Sequence, residues 1–245
     1  MKDSILPFTG FSKDIFKFLH DLKKNNTLEW FNTNRPRYQA SLVQPAKSFI
    51  VEISDFFNRL NPAIRTTPKF NETIMRINKD MRFAKGEPYR NYFLIHFGKF
   101  KLDSEFYVYF EEKSFQYGLF INNSAENENF YFSKNLKKYK KQFIDISEKF
   151  GINNCFELYE MKNDFSLISN SFFGKDHVDI LPGYKMLLLQ KSLPKNDPLI
   201  FKPEIVIEMI KTFSILYPVY CFAVSPQPLK LINEFEENFG IPEMI

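Results

Sequence analysis

Residues 92–121 read YFLIHFGKFKLDSEFYVYFEEKSFQYGLFI, and their reading decides the fold. Three runs within it, 92–97, 106–111 and 116–121, are rich in Ile, Val, Phe and Tyr and alternate in polarity. Side chains of that kind suit a pleated, half-buried surface, and short connections between such runs pair them antiparallel. A fourth run of the same character, 73–78, precedes them. The four predict an antiparallel meander at the centre of the chain.

Towards the N-terminus the period changes from two to that of a helix. Ser12 can cap a helix running to about Lys24, with Ile15, Phe16, Phe18, Leu19 and Leu22 on its apolar side. Asn25-Asn26-Thr27 stops it and restarts a short helix over 28–34 that carries Trp30 and Phe31. A third follows Pro45, with Phe49, Ile50, Ile53, Phe56, Phe57 and Leu60 at helical spacing. Beyond the meander a helix is expected over 129–150. Strands are expected over 155–160 and 186–193, a helix from Pro203 to about Leu216, and a last helix over 228–238. The expectation is an α+β fold: an antiparallel sheet with a central meander, an N-terminal helical cap and C-terminal helices. It is a single domain over 1–245, with a helical front, 1–65, packed on a sheet-containing body, 66–245.

The composition is that of a water-soluble chain, with 44% hydrophobic and 25% charged residues. Thirty Phe against 8 Gly give much apolar area to bury and few points for sharp turns. Thirty-three cations and 29 anions leave +4, too little to indicate nucleic acid by itself. Cys155 and Cys221 are too few for a disulfide framework and form no CxxC pair. The N-terminal MKDSILPFTGFSKD has no apolar leader pattern. The uncharged run TFSILYPVYCFAVSPQPL, 212–229, holds three prolines and suits a buried helix end followed by a core strand or loop better than a membrane span. The expected location is the cytoplasm, with no membrane partner.

The chemistry concentrates in residues 75–90, MRINKDMRFAKGEPYR, where five cations face Asp80 and Glu87. Were 73–82 an extended strand, Arg76, Asn78, Asp80 and Arg82 would share one face. Met75, Ile77, Met81 and Phe83 would turn the other way, into a core. Arginines grip phosphate or carboxylate with a planar fork of donors, and an Asp between them can hold one fork in place, bind a metal or act as a base. The alternative is a buried ion-pair network that ties the strand to the helical cap.

This stretch resembles the signature of a bacterial conserved-hypothetical family, domain of unknown function 2461. That signature runs Arg, two residues, Arg-Asp, one residue, Arg-Phe, then a Lys-containing loop ending in Tyr. Arg76, Asp80, Arg82, Phe83 and Tyr89 match it residue by residue. Lys79 stands where the family has Arg. The loop 84–88 is one residue short, keeps Lys85, and has Glu87 where a second Lys is usual. The opening FTGFSKDIFKFLHDLKKNNTLEWF, with Phe8, Gly10, Phe11, Asn25, Asn26, Trp30 and Phe31, is similar to the family's start. Arg37, Tyr38, Pro45, Leu187–Ser192 and Pro218 also fit. The resemblance implies no activity, cofactor or partner.

Other features have ordinary structural readings beside their functional ones. Lys134, Lys137, Lys138 and Lys141 form a basic stripe that could follow a phosphate backbone, and a solvated helix face is the commoner origin of such a stripe. His20, His96 and His177 show no metal-ligand spacing, and no metal is expected. Asp176, His177 and Asp179 lie in a stretch that looks like a loop entering a strand. GxSxG, GxxxxGK[ST] and GxGxxG are absent, which argues against the usual serine hydrolases, P-loop nucleotidases and dinucleotide enzymes.

Two functional expectations follow. In the first, Arg76, Lys79, Asp80, Arg82, Lys85 and Tyr89 bind or process a small anionic ligand bearing phosphate or carboxylate, with Asp80 the one candidate base. In the second, the same surface and the lysine stripe form a nucleic-acid-binding module without catalysis. The residues do not decide whether the protein is an enzyme, and a purely structural cluster is the remaining alternative.

Overall fold

The hydroxyl of Ser12 accepts the Asp14 N–H at 3.2 Å, and the first helix, α1 (Asp14–Lys24), follows. These positions come from a computed structural model that describes residues 5–83, 85–99, 103–124, 131–162 and 164–240. The helix buries Ile15, Phe16, Phe18, Leu19 and Leu22, as the spacing predicts. Thr27 restarts the chain by accepting the Trp30 N–H at 3.2 Å, and opens α2 (Leu28–Tyr38). This helix runs beyond the expected end near residue 34 and through Pro36. It continues through a π-helical turn, Gln39–Val43, into α3 (Gln44–Leu60). Pro45 has no N–H for the carbonyl four residues back, and the chain takes the wider i→i+5 pattern there, with the Gln44 N–H on the Gln39 carbonyl.

The strands are β1 (Phe93–Phe97), β2 (Glu105–Phe110), β3 (Ser114–Asn122), β4 (Glu157–Met161), β5 (Phe165–Ser169) and β6 (Met186–Pro194). They form an antiparallel sheet in the order β1-β2-β3-β6-β4-β5. The meander is therefore β1-β2-β3, and β6 enters between it and the β4–β5 hairpin. Gly118 allows the approach of β6, because a Cβ there would strike the Leu189 carbonyl. The remaining helices are α4 (Phe132–Lys138), α5 (Lys140–Lys149), α6 (Gly174–His177), α7 (Ile205–Val224) and α8 (Pro228–Phe239). This is the α+β fold that the patterns predict, with helices at both ends of the chain.

Four local expectations are corrected. Residues 73–78 form no strand, only single bridges from Ile74 to Phe70 and Ile95 and from Asn78 to Tyr89. The helix expected over 129–150 is two helices broken at Tyr139, and its first two residues lie outside the described ones. Strand β5 was not expected. Its Phe165 and Leu167 are exposed, so no buried alternation marks it. Finally, α7 does not end near Leu216 but passes through Pro218 to Val224, taking up most of the run expected as a strand or loop. Its apolar window is long enough to cross a membrane, and 72% of that window is buried, as in the core helix of a water-soluble protein.

The chain divides into two compact units. One takes the described residues up to Phe97 with Tyr107–Gln116 and Ser192–Met209. Its core is aromatic: Phe11 lies 4.8 Å from Phe110 and 5.2 Å from Phe49, and Phe57 stacks on Phe97 at 4.5 Å. The other takes the described residues of Gly98–Phe106, of Tyr117–Lys191 and from Ile210 on. There Phe106 meets Tyr220 at 4.9 Å, and Phe143 meets Phe222 at 5.1 Å. Asn135 donates to the Phe222 and Ser225 carbonyls at 2.8 and 2.7 Å, which satisfies the last turn of α7. Each Phe so buried stabilises the fold by roughly 1.5–3 kcal/mol relative to exposure.

Candidate functional site

The segment that precedes β1 is laced to its neighbours by single backbone bonds. The Met75 N–H donates to the Leu94 carbonyl at 3.0 Å, the His96 N–H to Thr73 at 3.0 Å, and the Arg90 N–H to Ile77 at 2.7 Å. Arg90 adds its side chain, donating to the Arg76 and Asn78 carbonyls at 3.0 and 2.8 Å. From the other side Asn26 uses its carboxamide as a strand would use its peptide. Its oxygen accepts the Tyr89 N–H at 3.0 Å, and its nitrogen donates to the Tyr89 carbonyl at 2.9 Å.

This framework separates the expected cluster. Asp80 and Arg82 sit on a turn in which the Phe83 N–H donates to the Asp80 carbonyl at 3.0 Å. Arg82 forks onto Asp80 with bonds of 3.0 and 2.7 Å, and its backbone N–H adds a third at 3.1 Å. Arg82 and that backbone bond hold the Asp80 carboxyl below the usual carboxylate range. The pair is open to solvent, with side chains 81% and 49% exposed, so the buried ion-pair network is excluded for it. Met81 and Phe83, expected inside, are exposed on the same turn, Phe83 by 87%. Tyr89 is buried and stacks on Phe31 at 4.1 Å, which makes it part of the packing between α2 and this segment. The backbone N–H of Lys79 donates to Pro88 at 2.8 Å, and Lys85 is exposed.

Arg76 goes elsewhere. It lines a cleft of about 190 Å³ with Phe31, Arg35, Tyr38 and Gln39 of α2 and its π-helical turn, and with Phe70, Ile77 and Asn78. Its Nε donates to Asn71 at 3.2 Å, and its guanidinium lies 5.8 Å from the Phe70 ring centre. Asn71 holds this geometry at a φ of 65°, a left-handed conformation that Asn tolerates better than most residues. Arg35 donates to Asn32 at 3.2 Å. Neither Arg35 nor Arg76 has a carboxylate partner among the described residues, and the cleft lining contains no acid. Burial pushes the Tyr38 phenol well above its ordinary value, with the charge of Arg76 working against it. The hydroxyl therefore stays protonated, a neutral group able to donate a hydrogen bond.

The sequence reading missed Arg35 and Gln39 as site residues. A signal was present: positions 31, 35, 38 and 39 fall on one face of a helix, and they carry an aromatic ring, a cation, a phenol and an amide. Arg37, on the opposite side, makes the buried-type network instead. It forks onto Asp14 with two bonds of 2.6 Å and reaches Asp21 at 2.8 Å, while Ser41 also donates to Asp14.

The histidines also have structural places. His20 meets Glu112 at 2.8 Å, and His177 bonds the backbone of Phe173 and stacks on Phe172. His96 is buried in β1. Asp179 pairs with Lys140. No cluster of three metal-ligating side chains occurs among the described residues. The lysine stripe and the arginine cleft belong to different compact units.

Fold and cleft together define an α+β protein whose second helix presents an aromatic and cationic face to an irregular segment before the first strand. Residues 14–222 match the family described as conserved hypothetical protein (DUF2461), and the chain belongs to that family. No match was found among curated proteins or solved structures.

Proposed function

We propose that the protein binds a small anionic ligand, through a phosphate or carboxylate group, in the cleft between α2 and the segment before β1. One observation carries this reading: Arg35 and Arg76 line the same concavity, and no carboxylate among the described residues engages either of them. A planar guanidinium meets an oxyanion with two parallel bonds, and two such groups can hold one anion from both sides. Tyr38, Gln39 and Asn78 supply further polar contacts, and Phe31 and Phe70 supply apolar walls. The volume is below the usual range for a whole drug-sized ligand, so the cleft suits an anionic head group or a small acid. Asp80 lies on its own turn with Arg82, and the reading gives it no part as a base. The reading is therefore one of binding, in a cytoplasmic protein whose apolar α7 serves as a core helix.

Thermal melting with and without phosphate and with small dicarboxylates tests it. A ligand is expected to raise the melting temperature of the wild type and of Arg82→Ala, but not of Arg76→Ala or Arg35→Ala. Loss of the shift in Arg82→Ala, with retention in Arg76→Ala, would return the site to the exposed turn and sink the proposal.

A further inference from the structure

A larger cleft, of about 710 Å³, lies in the same compact unit and is lined by Lys13, Phe16, Lys17, His20, Lys195, Asn196, Pro198, Phe201 and Lys202. One wall is a face of α1, because residues 13, 16, 17 and 20 recur at helical spacing. The other is the connection from β6 to α7, which turns through a short 3₁₀ segment, Pro198–Phe201.

The walls are fixed to one another near the cleft. The Phe11 N–H donates to the Ile200 carbonyl at 3.1 Å. Gly10, at a φ of 110°, lies so close to the Phe201 backbone that any Cβ would collide with it. Phe16 meets Phe201 edge-on at 6.3 Å and 90°.

The charge of this cleft has one sign. Four lysines line it, and none has a carboxylate within ion-pair distance among the described residues. The nearby acids form their close contacts with groups other than these lysines. Asp14 and Asp21 face Arg37, Asp197 caps the 3₁₀ turn by accepting the Leu199 N–H at 2.9 Å, and Glu112 binds Lys23 and His20. Lys13 rests 5.8 Å from the Phe201 ring centre. Like charges gathered in one concavity repel, and Lys13 and Lys17 do so at the adverse i, i+4 spacing. Asp14 attracts Lys17 and the Phe201 ring faces Lys13, but no carboxylate among the described residues pairs with any of the four, whereas a multiply charged anion would.

We propose that this cleft binds an organic polyphosphate of the nucleoside triphosphate type, independently of the arginine cleft. Lysine ammonium groups act on phosphates as mobile point charges and do not need the planar geometry of a carboxylate. Four of them around one cavity match a chain of linked phosphates better than a single charge. Phe16, Pro198 and Phe201 give the organic part an apolar surface. The volume falls in the range of small-molecule sites, and the cleft lies open to solvent between two walls fixed to one another.

Calorimetric titration of the intact chain with ATP, with inorganic triphosphate and with oligothymidylate tests the assignment. Circular dichroism melting of each variant establishes that it is folded. ATP is expected to bind the wild type, with Lys17→Gln and Lys202→Gln each weakening it about tenfold. Arg35→Ala and Arg76→Ala should leave ATP affinity unchanged, which separates this site from the arginine cleft. The proposal is overturned if ATP gives neither heat nor a melting shift, or if the folded lysine variants bind ATP as the wild type does. Equal affinity for inorganic triphosphate removes the organic part from the assignment. Tighter binding of oligothymidylate through the same lysines makes the cleft a nucleic-acid site instead.

Discussion

Arg37 places its guanidinium between Asp14 and Asp21, in a half-buried position above the Phe18 ring. Removing it leaves two carboxylates facing each other without a cation. Arg37→Ala is therefore expected to lower stability by about 1–3 kcal/mol, read from the urea midpoint at neutral pH. Arg82→Ala, which cuts an exposed pair, should leave that midpoint where it is. The Arg37 pair has a pH signature as well. The hydrogen bond from Arg37 holds Asp14 below its ordinary value of 3.8. The stability from this pair is thus present above that value and is lost as the pH falls through the lowered one. The gap between wild type and Arg37→Ala should narrow as the medium becomes more acid than that. A gap that stays constant down to low pH would mean that Arg37 acts through packing alone.

At the scale of elements, Asn26 shows how little sequence is needed to fix a loop. Its two bonds to the Tyr89 backbone are the link between the α1–α2 connection and the segment that carries Arg76. Asn26→Ala is expected to cost about 1–3 kcal/mol, and Asn26→Asp, which keeps the acceptor but loses the donor, should fall short of wild type as well. Unchanged unfolding midpoints in both would show that the segment is held without this brace. The same segment marks where sequence reading stops. The strands of the meander were legible because their apolar, β-forming runs are matched by real burial, as at Phe106, Val108 and Phe110. Residues 73–83 carry a similar alternation, yet the Asp80 turn sends Met81 and Phe83 outward. The pattern describes what could be buried and contains nothing about the turn that prevents it. α7 erred in the other direction. Pro218 forbids one hydrogen bond, and the burial of Phe213, Tyr217, Tyr220 and Phe222 outweighs that loss. The arginine cleft was half legible: Arg76 stood out in sequence, while its partner Arg35 is brought to it by the course of α2.

At the scale of the molecule, neither compact unit is a continuous stretch of chain. Ser192–Met209 returns to the unit that begins with the N-terminal helices, after the chain has built most of the other unit. A fragment ending at residue 191 lacks part of one unit and, from the other, α8 and most of α7. The whole chain is expected to unfold in urea in one sharp transition, and the fragment in a broader one at lower urea. A transition of wild-type steepness in that fragment would mean that the first 191 residues fold on their own.

The pinning of Gly10 and Phe11 to Ile200 and Phe201 has a consequence for biosynthesis. A ribosome delivers the Lys13 and Lys17 face of α1 long before the wall with Lys195 and Lys202. Throughout that interval the nascent chain carries one half of the lysine cleft, and closing the two halves joins ends far apart in sequence, which is entropically costly and slow. The lysine cleft therefore exists only in molecules whose translation has passed residue 202.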